Sequence, residues 1–560
     1  MRSRPLSCAH RAFAALTLIT AAALTACGAA DEGADDAALD LTSNTGAQRS
    51  LTFQGMFYVP TGTSNATVAA QAALQAKAAF GALRTSNMVA ASRYMTGIVP
   101  GSIKRLTVNV IDTTKPAGTR GTSAVRVTYM YKDAAVVPKT MTSSVFATAL
   151  LNPRYDSLQS VIRKNCTPGE TETGEPIWYS LDTSGAACQA DISAEADKIQ
   201  ADRTHLPPPA SPNDASITLS ELQRVFFPTA FALGSQTTNT ETSYPEYDQL
   251  YSGQHGVEAG KLVVGMIAGY ATHKALPAEA KIQGKFLDAS GAMTVDGYIF
   301  QNFINAVLTA TAANANFAST SNVDLAFAVN GRAYSFANLL TLARFVSSPG
   351  ANPPVTSASA GDQATDFNAL MQQIMDRVSK RWLTFEAPAT VASGSTSHPL
   401  TLKLQAYFGT DEENVAVFKT AFKHNDVLGY MGHSYTGHGP YAPQNLVASD
   451  FASGYQLMFF NGCVSYNYYD QSFFKLKAGG TKKLDLVTNS IEGLFSTQEG
   501  TFAAAFLDGS LPSYAQLLKR LEDPKTSYGS GANVADDPFR VVDGELDNTY
   551  APSATPIKIH

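Results

Sequence analysis

Short apolar runs mark the second half of the chain. Val427–Met431, Leu457–Phe460 and Leu484–Thr488 are each bounded by polar residues or glycine. Such runs are typical of strands that are buried on both faces, as in a parallel sheet between helices. Leu400–Ala406 instead alternates apolar and polar residues, as a half-buried strand does. The order of strands and intervening helical patterns predicts an α/β fold with a doubly wound, mostly parallel sheet.

One predicted helix in this half has a strongly amphipathic pattern. Its apolar positions recur every three or four residues, which is the spacing of one buried helix face. These positions are Phe367, Leu370, Met371, Ile374, Met375, Val378 and Trp382. We interpret this stripe as core packing rather than as a cofactor site.

The first half of the chain predicts an additional α/β or α+β region. Leu51–Val59, Leu106–Ile111 and Val125–Tyr131 have the apolar content or the alternation of strands. Thr67–Leu83 is rich in alanine and helical by propensity, and Gln189–Ala201 is a second predicted helix.

Linker composition suggests where the domains begin and end. A proline-rich run at Pro207–Pro212 and a Pro/Ser/Gly stretch at Ser347–Ala360 mark two boundaries. The predicted organisation is a signal segment at 1–27, a flexible tether at 28–49, an N-terminal domain at 50–206, a connecting region at 213–346, a sheet domain at 361–530 and a tail at 531–560.

Composition narrows the range of partners. The 560 residues carry a formal charge of −6, and 16% of them are charged. Nothing in this mildly acidic balance favours a nucleic-acid partner. The nine histidines are scattered without ligand spacing, so we predict no metal site and no cofactor.

The first 27 residues have the pattern of an export signal. Arginines precede an apolar stretch, Ala12–Leu24, which is too short to be a mature membrane span. The tetrapeptide L-T-A-C that ends at Cys27 then resembles a bacterial lipobox. The resemblance implies that Cys27 is lipidated and, because Gly28 follows it, that the protein is delivered to the outer membrane. An ordinary cleaved signal with an incidental cysteine is the alternative.

Cysteine spacing predicts one disulfide. Cys8 leaves with the signal, and Cys166 and Cys188 lie 22 residues apart in one segment. An exported protein meets an oxidising compartment, which favours a bond between these two residues. Cys463 stays outside this pair, either as a buried structural thiol or as a reactive one.

His433 and Cys463 follow two of the apolar runs. The first run leads into Gly432-His433 and the second into Gly462-Cys463, and the histidine and the cysteine are 30 residues apart. Open α/β sheets place reactive groups just beyond the carboxyl ends of their strands. We therefore expect both side chains at one edge of the sheet, where the histidine would activate the cysteine as a nucleophile.

These segments carry a family resemblance. Y-M-G-H, ending at His433, and F-F-N-G-C, ending at Cys463, resemble the caspase-like cysteine peptidases, most of all the gingipain and clostripain branch. The resemblance covers roughly residues 400–510. It implies a mostly parallel sheet with helices on both faces, Cys463 as nucleophile and His433 as general acid.

The same resemblance implies further site residues. Backbone N–H groups around Gly462 and Ser434 would stabilise the oxyanion of the reaction. An acidic residue often lines the specificity pocket in this branch, and Asp470 and Glu492 lie in suitable loops, although either fits a solvated surface carboxylate as well. The implied protein is an outer-membrane-anchored cysteine endopeptidase with a peptide or protein substrate, held to the membrane by its N-terminal lipid.

The sequence departs from the family pattern after His433. Ser434 stands where the family has glycine, and a true His-Gly pair follows at His438, which is the reserve for the catalytic histidine. Two other functions stay open. Gly432–Thr436 nearly matches the nucleophile elbow of the α/β-hydrolases, with Ser434 as nucleophile. The protein would otherwise be a lipid-anchored binding or structural protein with a degenerate caspase-like domain.

Overall fold

The structure, a computed structural model of the chain, describes residues 41–42, 46–85, 91–92, 97–116, 119, 121–158, 162, 164–167, 177–207, 215–235, 243–269, 284–321, 323–335, 360–410, 415–469, 471–491, 498–522 and 539–560. These residues form two compact units. The first unit contains Gln48–Thr237, and the second contains Asp40–Ala47 and Thr238–His560, each as far as it is described.

The elements of the described residues are numbered in chain order. The strands are β1 Leu41–Thr42, β2 Gly46–Pro60, β3 Ala91–Ser92, β4 Lys104–Ile111, β5 Thr122–Pro138, β6 Val145–Leu151, β7 Ser216–Thr218, β8 Phe226–Leu233, β9 Lys261–Gly269, β10 Ala318–Ser319, β11 Ala326–Val329, β12 Arg332–Ser335, β13 Trp382–Ser393, β14 Thr396–Thr410, β15 Val427–Met431, β16 Gln456–Asn461, β17 Leu484–Asn489, β18 Arg540–Asp543 and β19 Ile557–Ile559. The α-helices are α1 Asn65–Thr85, α2 Ile177–Ser180, α3 Ala186–Arg203, α4 Leu219–Leu222, α5 Tyr247–Leu250, α6 Val295–Ala312, α7 Ala360–Val378, α8 Val415–His424, α9 Gln471–Leu476, α10 Gln498–Leu507 and α11 Tyr514–Leu521.

A seven-stranded sheet forms the first unit, with the order β6-β8-β2-β5-β4-β7 and with β3 paired to β5. Alternate residues of β2 are buried, and Phe53 and Phe57 pack with the alanine-rich face of α1 in one core. The three strands and two helices that the sequence predicts here lie within β2, β4, β5, α1 and α3. The predicted disulfide is present, since Cys166 is bonded to Cys188 with a Cα–Cα distance of 4.7 Å.

Five parallel strands form the centre of the second unit. They are ordered β14-β9-β15-β16-β17, so their chain order across the sheet is second, first, third, fourth and fifth. The direction of winding reverses between β9 and β15, and open α/β sheets bind ligands at the carboxyl end of such a switch point. The predicted parallel sheet is thus confirmed for these central strands.

Antiparallel strands flank this centre on both sides. β18 and β1 extend the sheet beyond β17, and β13 pairs with β14, β10 and β19 on the other side. The sheet is therefore mixed rather than mostly parallel. The compact units also divide the chain differently from the predicted domains, because β9 of the 213–346 region and β18 of the 531–560 tail both belong to this sheet.

Helices cover both faces of the second sheet. On one face, α6, α7, α10 and α11 share a core with residues such as Val264, Leu404 and Phe459. On the other face, Phe418 and Phe422 of α8 and Phe473 of α9 pack on the alternate residues of the same strands. Burial on both faces is the physical reason why β9, β15 and β16 are almost continuously apolar, whereas β14 alternates buried and more exposed residues from Leu400 to Ala406.

Two predicted helices differ from the structure at one end. The amphipathic stripe is confirmed from Phe367 to Val378, but Trp382 lies on β13 and packs its ring on Tyr407 at a centroid distance of 5.1 Å. The helix ends because Lys380 adopts a left-handed φ of 60°. The sequence also predicts a helix over Ile491–Leu507, but among the described residues that helix begins at Gln498, and Ile491 itself is not helical.

Candidate active site

Two neighbouring parallel strands deliver His433 and Cys463 to the same edge of the sheet. β15 and β16 pair in register as far as Met431 opposite Asn461. His433 lies two residues after Met431, and Cys463 lies two residues after Asn461. Because the offsets are equal, both residues leave the sheet at one level, beside the switch point between β9 and β15.

Two glycines make close contacts just beyond the ends of β15 and β16. A Cβ atom on Gly462 would lie 3.0 Å from the carbonyl oxygen of Gly432. A Cβ atom on Gly432 would lie 2.3 Å from the hydroxyl of Tyr430, which donates to the His433 carbonyl oxygen at 2.9 Å. A side chain at Gly462 would push the two loops apart, and one at Gly432 would collide with Tyr430 of its own strand, so both positions favour glycine.

Ser434 joins the loop after His433 to the loop of Cys463. Its hydroxyl is buried and donates a hydrogen bond to the carbonyl oxygen of Cys463. A serine nucleophile must present its oxygen to the substrate. Ser434 instead directs its hydroxyl to the backbone, which disfavours the serine-hydrolase alternative.

A strained turn follows the cysteine. Cys463 is half-buried and forms no disulfide within the described part of the chain. Val464 adopts a φ of 52°, a left-handed conformation that is rare for a β-branched residue. Its N–H donates to the Ile491 carbonyl oxygen at 3.0 Å. Such strain costs on the order of 1–3 kcal/mol and persists only where surrounding contacts hold it, which is typical of functional sites.

The reserve histidine, His438, lies farther along the same loop. It follows the 3₁₀ turn Tyr435–Gly437, its side chain is exposed, and its Nδ1 lies 3.4 Å from Nε2 of Gln444. His433 is half-buried, and its ring lies 5.3 Å from that of Tyr435. The position directly after β15 favours His433 over His438 as the partner of the cysteine.

The tyrosines after Cys463 divide between two roles. Tyr469 is fully buried and packs on Phe460 and Phe473, at ring distances of 4.8 and 5.6 Å, so it belongs to the core. Tyr468 is half-buried, and a Cβ atom on Gly437 would lie 2.8 Å from its ring. Tyr468 therefore borders the loop of His433.

Three further residues at this edge were not predicted as site residues from the sequence. Asn461, Asn489 and Glu499 are buried and hydrogen-bonded to one another directly behind the turn of Cys463. Two of them end buried strands, and Glu499 lies in the first turn of α10. Polar residues that end apolar strands were the available signal.

Other buried ionisable groups lie at the opposite edge of the sheet. Burial raises the pKa of Asp426, just before β15, to about 6, and it raises the pKa of Asp485, near the start of β17, to about 7. Burial also lowers the pKa of Lys477 to about 7. Asp426 and Asp485 lie at the starts of strands, and Lys477 donates to Gln456 at the start of β16, whereas His433 and Cys463 follow strand ends.

Three predicted site residues lie outside the described residues. They are the lipidation candidate Cys27 and the specificity-pocket candidates Asp470 and Glu492. Within the described ranges, no group of three or more His, Cys, Asp or Glu side chains is placed to hold a metal ion. No helix in the same ranges combines the length and apolar content needed to cross a bilayer.

Comparison with known proteins gives no match. No family model, no curated protein and no solved structure matches this chain.

Proposed function

We propose that the second unit is a caspase-like cysteine endopeptidase, with Cys463 as nucleophile and His433 as general acid and base. One observation carries this proposal: the two residues stand at equal offsets beyond paired ends of adjacent parallel strands. The hydrogen bond from Ser434 to the Cys463 carbonyl supports it, because it joins the two loops that carry these residues.

The proposed reaction has two steps. The Cys463 thiol gives its proton to the His433 imidazole, and the sulfur attacks the substrate carbonyl carbon. The C–N bond then breaks, His433 returns the proton to the leaving amine, and a thioester remains on Cys463. Water hydrolyses the thioester with His433 as base and restores the thiol. Backbone N–H groups at Cys463 and Ser434 would hold the oxyanion of each tetrahedral intermediate.

The N-terminal sequence supports attachment of this enzyme to the outer membrane by a lipid on Cys27. Such an anchor leaves the catalytic unit outside the bilayer and restricts its substrates to peptides or proteins of the cell envelope. Metabolic labelling with palmitate is expected to mark the wild-type protein and to leave Cys27→Ala unlabelled. A wild-type protein that takes up no palmitate would contradict the lipid anchor.

A peptide library offered to matched variants tests the peptidase. We expect Cys463→Ala to abolish cleavage and His433→Ala to reduce kcat by about 10²–10⁴-fold, the usual contribution of a general acid–base residue. His424→Ala is the matched control, because His424 is exposed at the end of α8 and is expected to keep the wild-type rate. Equal cleavage by wild type and Cys463→Ala would end the proposal.

Covalent probes separate the alternatives without a known substrate. A thiol-reactive peptide electrophile is expected to label Cys463 in wild type and to label His433→Ala much more slowly. A fluorophosphonate that labels Ser434 would support the serine hydrolase instead. A protein labelled by neither probe would be a binding or structural lipoprotein.

A further inference from the structure

A buried chain of hydrogen bonds connects α10 to the peptide just before the proposed nucleophile. Asn461 donates from Nδ2 to Oε1 of Glu499 at 2.6 Å. Asn489 donates from Nδ2 to Oδ1 of Asn461 at 2.8 Å and to the carbonyl oxygen of Gly462 at 3.4 Å. These three side chains are at most 4% exposed, so water does not compete for these bonds.

The Glu499 carboxylate sets which group donates and which accepts along these hydrogen bonds. The oxygen and nitrogen of an asparagine amide exchange places on a half-turn, whereas a carboxyl oxygen that carries no proton only accepts hydrogen bonds. Glu499 therefore turns the nitrogen of Asn461 toward itself and the oxygen toward Asn489. Asn489 must then present its own nitrogen, which donates to the Gly462 carbonyl. One acidic residue thus fixes the orientation of two amides.

Close helix packing holds Glu499 in place. A Cβ atom on Gly500 would lie 2.5 Å from Cα of Ala306, so α10 and α6 meet backbone to backbone at this point. A Cβ atom on Gly429 of β15 would lie 3.5 Å from the side chain of Glu499. The residue also lies in the first turn of α10, where the helix dipole favours a negative charge.

Asn489 holds the turn of Cys463 through its backbone as well. Its N–H donates to Oγ of Ser465 at 2.8 Å, and that hydroxyl donates to the carbonyl oxygen of Phe460 at 2.7 Å. Asn489 thus contacts the strained turn on both sides of Cys463. The end of β17 supplies the surrounding contacts that such a turn requires.

We propose that Asn489 and Glu499 are positioning residues for Cys463. Asn489 holds the turn that presents the sulfur, and Glu499 acts through Asn461 by fixing the orientation of the amides. Neither residue takes part in bond making. This inference rests on the proposed peptidase, since it assigns a purpose to a rigid turn at the nucleophile. A misplacement of about 1 Å at a reacting atom costs up to about 10²-fold in rate.

Four variants of the full chain test the proposal. We expect Asn489→Ala and Glu499→Ala to lower kcat by about tenfold or more with KM nearly unchanged. Asn489→Asp keeps the size of the side chain, but it places an acceptor oxygen against two other acceptors, Oδ1 of Asn461 and the Gly462 carbonyl oxygen. Its kcat should therefore be at least as low as that of Asn489→Ala. Glu499→Gln keeps an acceptor oxygen for Asn461 but can also present a donor, so its loss of kcat should be smaller than that of Glu499→Ala without vanishing. Thr488→Val is the matched control, because the buried Thr488 hydroxyl has no hydrogen-bond partner among the described residues.

Alkylation of Cys463 by iodoacetamide, followed by mass spectrometry at neutral pH, supplies a readout that needs no substrate. The rate should fall in the two alanine variants and stay at the wild-type level in Thr488→Val. If no peptide is cleaved but this difference appears, the peptidase fails and the positioning role stands. Wild-type kcat and alkylation rates in both alanine variants would overturn the positioning role, as would equal losses in Glu499→Gln and Glu499→Ala.

Discussion

The hydroxyl of Ser434 donates a hydrogen bond to the backbone carbonyl oxygen of Cys463. Ser434 stands where the family resemblance leads one to expect glycine. A glycine would permit the close approach of the two loops but would supply no bond between them. The serine hydroxyl adds that bond, so the departure from the family pattern tightens the site rather than opening it.

Removing this hydroxyl should loosen the site. We expect Ser434→Ala to lower the free energy of unfolding by about 1 kcal/mol, because the Cys463 carbonyl loses its donor. We also expect a several-fold lower rate of cleavage. Urea denaturation and peptide hydrolysis measure the two effects.

Thr420→Ala is the matched control for the Ser434 variant. Thr420 also donates to a backbone carbonyl, that of Ala416 at 2.9 Å, but on the exposed surface of α8. Its loss should change neither the stability nor the rate of cleavage appreciably. If Ser434→Ala were as stable and active as this control, the bond to Cys463 would have no role in holding the loops.

The two glycines of β15 and its end should respond differently to alanine. In Gly432→Ala the new Cβ would meet the Tyr430 hydroxyl at 2.3 Å, and Tyr430 is held in the core. Overpacking of this kind costs about 1–3 kcal/mol. In Gly429→Ala the nearest atom is 3.5 Å away, an ordinary contact. Thermal unfolding of the two variants should therefore give a clearly lower Tm for Gly432→Ala only.

Asp485 should make the second unit less stable as the pH rises. Burial raises its pKa from the ordinary 3.8 to about 7, although Tyr455, Tyr514 and Asn548 donate hydrogen bonds to it. Between about pH 4 and pH 7 the folded chain therefore binds a proton that the unfolded chain releases. The free energy of unfolding is expected to fall across this window by an amount on the order of a few kcal/mol.

Asp485→Asn isolates that contribution. Asparagine has the same shape and keeps an oxygen for the three donors, but it does not titrate. The slope of unfolding free energy against pH should become shallower without disappearing, because Asp426 has a raised pKa of about 6 and acts in the same direction. An unchanged slope, measured by urea titration at a series of pH values, would show that Asp485 titrates normally.

Reducing the disulfide should destabilise the first unit. Cys166 and Cys188 are fully buried and close a loop of 22 residues. A bond across a loop of this size stabilises a fold by about 3 kcal/mol. Calorimetry of the double variant Cys166→Ser and Cys188→Ser should show a lower midpoint for the transition of this unit. Unchanged calorimetric traces in the double variant would mean that the bond contributes nothing to stability.

The central strands were predictable because their environment leaves a local signal. Val427–Met431 matches β15 residue for residue, and Leu457–Phe460 lies within β16. Burial on both faces forces a continuous apolar run, whatever the partner strands are. The antiparallel flanks left a weaker signal, since β18 spans only Arg540–Asp543.

One missed strand did carry a signal. From Leu383 to Val391 of β13, buried residues alternate with more exposed ones, which is the period of a strand. Trp382 instead extended the rhythm of the preceding helix by four residues, and Pro388 weakened the strand pattern. Trp382 fits both the helical period before it and the strand period after it. The left-handed Lys380 marks the change from helix to strand.

At the candidate site, the sequence indicates the residues just beyond the strand ends but not the contacts between them. His433 and Cys463 could be proposed from their places after two apolar runs. The bond from Ser434 and the amides of Asn461 and Asn489 depend on how neighbouring backbones meet in space. Such side-chain contacts join residues far apart in the chain, and no local pattern encodes them.

The short strand β1 has a practical consequence for work on the second unit. Leu41 pairs with Val542 and Thr42 with Val541, so a segment from far upstream in the sequence covers the outer edge of β18. A recombinant fragment starting at Thr238 would lack β1, and the unpaired backbone groups of β18 could then pair with a second molecule. Oligomers or aggregates of such a fragment would then result from the β18 edge that the truncation exposes, and not from an assembly of the intact protein.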